Sequence, residues 1–250
     1  MELFDYERLS ALAREHADDF QSANPFPSVV IDNFLPEPQF EFIHQSFPSL
    51  DSTIWKTPNN VHTISKSVIR RGPTGLKENV LNNINRNILY QFNSATFLDF
   101  LEKISNIKGL CPDPYLHEAG YHLSRNGGHL DIHADYSHHD RLGLERRLNI
   151  LFYLNKQWSP SFKGAIGLYN TKLQLEKLIE PISNRLLIFA TSNSSYHGFP
   201  DKLDIPSWYM ERFYGRKSIA MYYYTVPTGR RPHKIIFPED PGFTFTPTSL

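Results

Sequence analysis

The 250-residue chain contains one cysteine, Cys111. A single thiol excludes an intramolecular disulfide and any paired-cysteine metal or redox motif, and it suits a reducing compartment. Cys111 lies in Leu110-Cys111-Pro112-Asp113-Pro114 and reads as a buried structural residue. No apolar run approaches the ~18 residues that a spanning helix needs. The opening Met1-Glu2-Leu3-Phe4-Asp5 is acidic early and lacks the apolar region of a secretory signal. Lysine plus arginine and aspartate plus glutamate number 26 each. No global basic field therefore points to nucleic acid or an anionic membrane. The expectation is a cytoplasmic protein with neither membrane nor nucleic-acid partner.

What the chain does have is aromatic side chains, at 14%, and eleven histidines. Apolar content of 40% over this length can bury a substantial core, and the aromatics fit a β-rich fold. Residues 3 to about 20 place Leu3, Leu9, Leu12, Ala13, His16 and Phe20 near helical spacing. After the break at Asn24-Pro25-Phe26-Pro27, Ser28 to Asp32 reads as a short strand. Pro36 opens a helix that Pro48 ends. His62 to Ile69 alternates polar and apolar, the signature of a half-buried strand. From Leu76 to Ile107 the pattern is helical. Val80, Ile84, Ile88 and Phe92 form a stripe, and Ser94 is placed to cap a following helix.

The texture changes near Pro112. Short apolar runs at 115–125, 129–136, 147–155, 164–169, 185–190 and 217–226 read as strands of a sandwich or jelly roll. The expected organisation is a helical and strand part over 1–110, a β core over 111–226 and an irregular, proline-rich tail over 227–250, all in one domain.

The core holds Gly127-Gly128-His129-Leu130-Asp131-Ile132-His133-Ala134-Asp135. A His-x-Asp pair on a strand puts both side chains on one face. A later histidine, His197, completes a two-histidine, one-carboxylate set with open positions, suited to non-haem Fe(II) or to hydrolytic zinc. Three such pairs exist: His129/Asp131, His133/Asp135 and His138/Asp140. Residue alternation does not separate the first two. The pair 133/135 is favoured because it precedes a polar, loop-like run, near a strand end where pockets form.

From Tyr115 to Thr225 the chain resembles the Fe(II)/2-oxoglutarate-dependent oxygenases, in particular their prolyl-4-hydroxylase-like branch. The matching segments are Gly128 to Asp135, Arg146 to Asn155, Ile179-Glu180-Pro181 with Asn184 to Phe189, Tyr196-His197-Gly198, and Arg216 to Thr225. The resemblance implies a mainly β fold, a double-stranded β-helix or jelly roll with N-terminal and mid-chain helices packed on one sheet. It implies Fe(II) on His133, Asp135 and His197, and 2-oxoglutarate anchored by Arg216 with Ser218 beside it. Tyr153 and Asn149 would face the co-substrate, and Tyr121 or His122 would contribute from the preceding strand. Arg212 competes with Arg216; the serine two residues after Arg216 favours the latter. Arg146 and Arg147 read as solvated or structural. His129 and Asp131 read as same-face neighbours of the ligands.

The implied activity is a dioxygenase that hydroxylates an organic substrate with release of succinate and CO2, using O2 and supported by ascorbate. A prolyl residue in a peptide, an amino acid or a small metabolite would be the substrate. Halogenating relatives replace the carboxylate with a small residue, so Asp135 favours hydroxylation. A longer segment than the family's separates His197 from Arg216, so 201–215 is expected to bulge from the barrel mouth, as a lid or packed on its own scaffold. Two other readings stand beside this one: a non-catalytic, cupin-like jelly-roll binding module, and a zinc-dependent hydrolase.

Overall fold

The computed structural model describes residues 1–57, 60, 62–230 and 233–238. Its first helix, α1 (Tyr6–Ser22), starts where the Asp5 carboxylate accepts the Arg8 backbone N–H at 2.7 Å. Strand β1 (Ser28–Ile31) and helix α2 (Glu37–Gln45) follow, then β2 (Trp55–Lys56) and β3 (Thr63–Ile69). The expected helical stretch from Leu76 resolves into a short 3-10 turn (Glu78–Val80), α3 (Asn83–Phe92) and α4 (Ala95–Ser105). Ser94 caps α4, its hydroxyl accepting the Phe97 N–H. Asn82 caps α3 two residues after Val80, so the buried face is Asn85, Ile88, Leu89 and Phe92. Ile84 is instead 49% exposed, which corrects the four-residue stripe.

The β core consists of β4 (Gly120–His133), β5 (Glu145–Tyr153), β6 (Ile166–Tyr169), β7 (Leu175–Ile179), β8 (Arg185–Ala190), β9 (Tyr196–Phe199) and β10 (Arg216–Thr225). Helix α5 (Ser207–Phe213) interrupts the last two. All pairings are antiparallel, in the order β1-β8-β5-β10-β4-β9-β6-β7, with β3 added beside β4 and β2 beside β3. The sheet curls on itself because β4 is long enough to serve two sets of neighbours. Strand β3 runs along both halves of it, while β10 pairs with the first half and β9 with the second. This is the expected mainly β, double-stranded β-helix.

Strand alternation divides the sheet into two surfaces. Leu148, Ile150 and Phe152 of β5, Leu186 and Ile188 of β8, and Ile219 and Met221 of β10 pack outward against the helices. Phe152 meets the rings of Phe34, Phe40 and Phe92 at centroid distances of 6.0 to 6.3 Å. Each such buried side chain contributes roughly 1.5–3 kcal/mol. The opposite surface, with Asn149, Leu151, Tyr153, Leu187 and Phe189, encloses the barrel interior. The described part of the tail follows the strand-end segment after β4. Ile236 exchanges backbone hydrogen bonds with Ala134, both at 2.9 Å. Arg231, Pro232, Pro241 and Pro247 of the expected irregular tail lie outside the described residues.

Candidate active site and metal centre

A cavity of about 320 Å³ opens between the two halves of the curled sheet. His133 at the end of β4 stands directly opposite His197 on β9, and their rings lie 4.5 Å apart between centroids. Asp135 follows two residues later. The ligand atoms of His133, Asp135 and His197 all lie within 4.8 Å of one another, and all three residues are buried. Among the described residues this is the one such group.

Hydrogen bonds fix how each ring faces the centre. His133 Nδ1 lies 2.8 Å from the Asp131 carbonyl and His197 Nδ1 lies 3.0 Å from the Ser195 carbonyl. Each carbonyl can accept only from an N–H, so both imidazoles place their N–H at Nδ1 and direct Nε2 at the cavity. Those Nε2 atoms sit 3.5 Å from the Asp135 carboxylate oxygens. Burial drives the His197 imidazole down to about 4, which keeps it neutral. Burial alone would raise Asp135, but the Arg146 guanidinium holds its carboxyl well below the usual range. Two imidazole nitrogens and one carboxylate form a donor set that suits an open-sided metal centre.

The carboxylate is oriented from behind. Arg146 donates to Asp135 Oδ2 at 3.1 Å, and the Asn149 amide donates to the same oxygen. Arg146 also donates to Asn149 Oδ1 at 2.7 Å, and the Thr191 hydroxyl donates there at 3.2 Å. Arg146 is only 1% exposed, so of the two readings given for it the solvated one is excluded. A register shift opposite Tyr223 and Tyr224 disturbs simple alternation at this end of β5, so the sequence carried no clean signal for it.

Arg216 lies deeper in the cavity. Its Nε donates to the Gly164 carbonyl at 2.8 Å and its Nη2 to the Tyr153 hydroxyl at 3.3 Å. Gly164 adopts φ +74°, and a Cβ there would come within 2.3 Å of Leu203 and 3.2 Å of Arg216. The guanidinium is buried with no carboxylate paired to it among the described residues. A buried cation of fork geometry with no carboxylate partner suits the carboxylate of a bound anion. Ser218 lines the same cavity, standing opposite His122 on one side and Tyr153 on the other. The competing Arg212 is exposed on α5.

Tyr121 does not belong to this group. It is buried in the outer core, packed edge-on against Phe47, with its hydroxyl toward the Asn85 carbonyl. His122 lines the cavity in its place. The cause is a break in alternation along β4. Lys66 of β3 pairs with Ser124 and Ile64 with His129, so the Gly127-Gly128 segment bulges out. A second shift lies between Leu130 and His133. His122, Ser124, Leu130 and His133 therefore share the cavity, although counting by twos separates the even residues from His133. For the same reason His129 and Asp131 are not same-face neighbours of the ligands. Asp131 pairs with His62 at 3.2 Å and lies 3.5 Å from His129. His138 and Asp140 line a separate open depression with His117 and His233.

The segment 201–215 packs on its own scaffold. Tyr209 and Phe213 of α5 join Leu203, Ile205, Trp158 and Phe162 in a small separate cluster, and α5 contributes nothing to the cavity wall. Part of the wall beside His133 comes instead from the tail. Ile235 and Phe237 both line it, with the Phe237 ring 5.7 Å from His133 and stacked on His62 at 3.9 Å.

Comparison with known proteins meets this geometry from outside. Residues 119–224 match the family model of the 2OG-Fe(II) oxygenase superfamily. No curated protein matches the chain by sequence. The fold is shared with a prolyl hydroxylase from Trichoplax adhaerens, solved with a hypoxia inducible factor peptide fragment. That match has 16% identity and a TM-score of 0.57, over 87% of this chain and 91% of that one. A Pseudomonas putida prolyl-4-hydroxylase aligns at 14% identity and TM-score 0.51, over 86% and 99% of the two chains. HygX of Streptomyces hygroscopicus, solved with nickel and 2-oxoglutarate, aligns at 13% and 0.53, over 85% and 87%. No described helix is long and apolar enough to cross a membrane. Neither the binding-module nor the zinc-hydrolase reading gains support from these relatives. Over residues 119–224, less than half of the chain, the core is similar to the 2OG-Fe(II) oxygenase superfamily.

Proposed function

We propose that this oxygenase hydroxylates an organic substrate, converting 2-oxoglutarate and O2 to succinate and CO2 as one oxygen atom enters a C–H bond. The observation that carries this reading is the pairing of two inward Nε2 atoms and Asp135 with a buried, unpaired Arg216 in one cavity. His133, Asp135 and His197 would hold Fe(II), which when bound supplies the centre for oxygen activation. Arg216 binds the distal carboxylate of 2-oxoglutarate. Tyr153 and Gly164 hold the guanidinium in place, and Ser218 offers a hydroxyl alongside.

Arg146 and Asn149 keep Asp135 ionised and oriented, and the carbonyls of Asp131 and Ser195 keep both ring protons pointing away from the centre. Leu130, Leu151, Ile166, Phe189 and Phe199 wall the cavity and exclude water from it. A peptidyl proline, a free amino acid and a small metabolite all fall within the substrate range. Ascorbate would serve to keep the metal reduced. The test is succinate formation measured against Fe(II), 2-oxoglutarate and O2. Turnover requiring all three, and abolished in His133→Ala and Asp135→Ala, is expected. Undiminished turnover in either variant would rule the assignment out.

A further inference from the structure

The cavity holds one more cation than the reaction above uses. Lys66 of β3 stands opposite Ser124 of β4, and Ser124 stands opposite Arg216 of β10. Lys66 and Arg216 thus flank Ser124 in one row across three neighbouring strands, and all three line the cavity. Lys66 is half-buried, and its ammonium has no hydrogen-bond acceptor or ion-pair partner among the described residues. Burial draws it down to about 8 while Asp135 and Glu118 oppose that fall, so it stays a cation at neutral pH. His122 beside it is held neutral by burial.

Charge balance indicates what completes the site. An Fe(II) ion and a 2-oxoglutarate dianion cancel. Arg146, Arg216 and Lys66 then stand against Asp135 and the exposed Glu118, which leaves a surplus of one positive charge. Arg146 is paired with Asp135, and neither Arg216 nor Lys66 has an ion-pair partner among the described residues. An unpaired ammonium out of bulk water is costly, and a carboxylate relieves that cost. Lysine on its flexible stem meets such a group as a point charge.

We propose that Lys66 is a second carboxylate-binding residue of this cavity, resting on the oxygenase reading above. Two molecules in the site carry a carboxylate that fits: the organic substrate, which would then be a small acid such as a free amino acid, and 2-oxoglutarate through its metal-side end. The charge balance favours the substrate, because the co-substrate's two charges are already matched.

Calorimetric titration of the Mn(II)-loaded, full-length protein tests this in two arms, using wild type, Lys66→Met and Lys66→Arg of unchanged melting temperature. The first arm measures 2-oxoglutarate itself. The second saturates the protein with Mn(II) and 2-oxoglutarate and titrates free L-amino acids, each beside its amide. The expected result is an amino acid that binds at least about tenfold tighter than its amide, as a charge-assisted contact should. That preference is lost in Lys66→Met and kept in Lys66→Arg, with 2-oxoglutarate affinity altered less than about threefold. If Lys66→Met instead weakens 2-oxoglutarate by about tenfold or more, the carboxylate is the co-substrate's and Lys66 keeps its role. No effect in either arm overturns the proposal. A wild-type protein that binds no 2-oxoglutarate overturns the oxygenase reading itself, and the role of Lys66 with it.

Discussion

The two faces of β5 do different work with the same backbone. Leu148, Ile150 and Phe152 point into the helix layer and are wholly apolar, whereas on the other face Asn149 and Leu151 line the cavity, Asn149 donating to Asp135, and Tyr153 supports Arg216 from behind. One surface stabilises and the other positions charge. The outer face tolerates any well-packed apolar set, while the inner face is constrained at single atoms such as Asp135 Oδ2 and Arg216 Nε. Damage to the two faces should therefore separate into loss of fold and loss of binding.

The largest separation is expected at Phe152. Phe152→Ala leaves a void among three rings and should lower unfolding free energy by about 3–5 kcal/mol in denaturant titration. Mn(II) affinity of the folded fraction should stay within about twofold, since no ligand is touched. Arg146→Met reverses the pattern. It removes the partner of Asp135 and should weaken Mn(II) binding by about 10–100-fold, the usual cost of losing a group that orients a ligand. A Mn(II) affinity that is unchanged in Arg146→Met would erase the distinction between the faces.

A smaller effect distinguishes the helix layer by pH. Burial, then nearby Lys217 and Lys156, draws His44 on α2 down to about 4. Between about 4 and its ordinary value of 6.5, the unfolded chain binds a proton that the folded chain does not, so stability rises with pH across that window. Melting temperature should fall on acidification from 6.5 toward 4, and His44→Gln should flatten that fall. An equally steep decline in the variant would remove His44 as its source.

The same contrast explains what could be read from the sequence. The apolar outer face announces itself through periodicity, and the N-cap at Ser94 and the strand at 28–31 followed from local chemistry. His133, Asp135 and His197 were legible because residues two apart on a strand share a face, over a span too short for alternation to fail. Over longer spans it does fail. The Gly127-Gly128 bulge and the shift before His133 exchange the faces of β4, which is why alternation does not choose between Tyr121 and His122, of which His122 is found in the cavity. Arg146 stayed hidden because its partner Asp135 lies on another segment, across a disturbed register. Strand β7, largely exposed and charged, gave no apolar run to mark it. The tail's contribution of Phe237 to the pocket has no local signature at all.

The central claim joins a metal centre on His133, Asp135 and His197 to a co-substrate anchor on Arg216. Anaerobic addition of Fe(II) and then 2-oxoglutarate tests both at once, because direct chelation of the keto acid to ferrous iron gives a visible charge-transfer band. Wild type should develop the band, and the double variant His133→Ala/Asp135→Ala should not. Arg216→Met should reach it only at about 10–100-fold higher 2-oxoglutarate, the cost of one charged contact. A band that forms undiminished in the double variant, or at unchanged concentration in Arg216→Met, would contradict the assignment of the site.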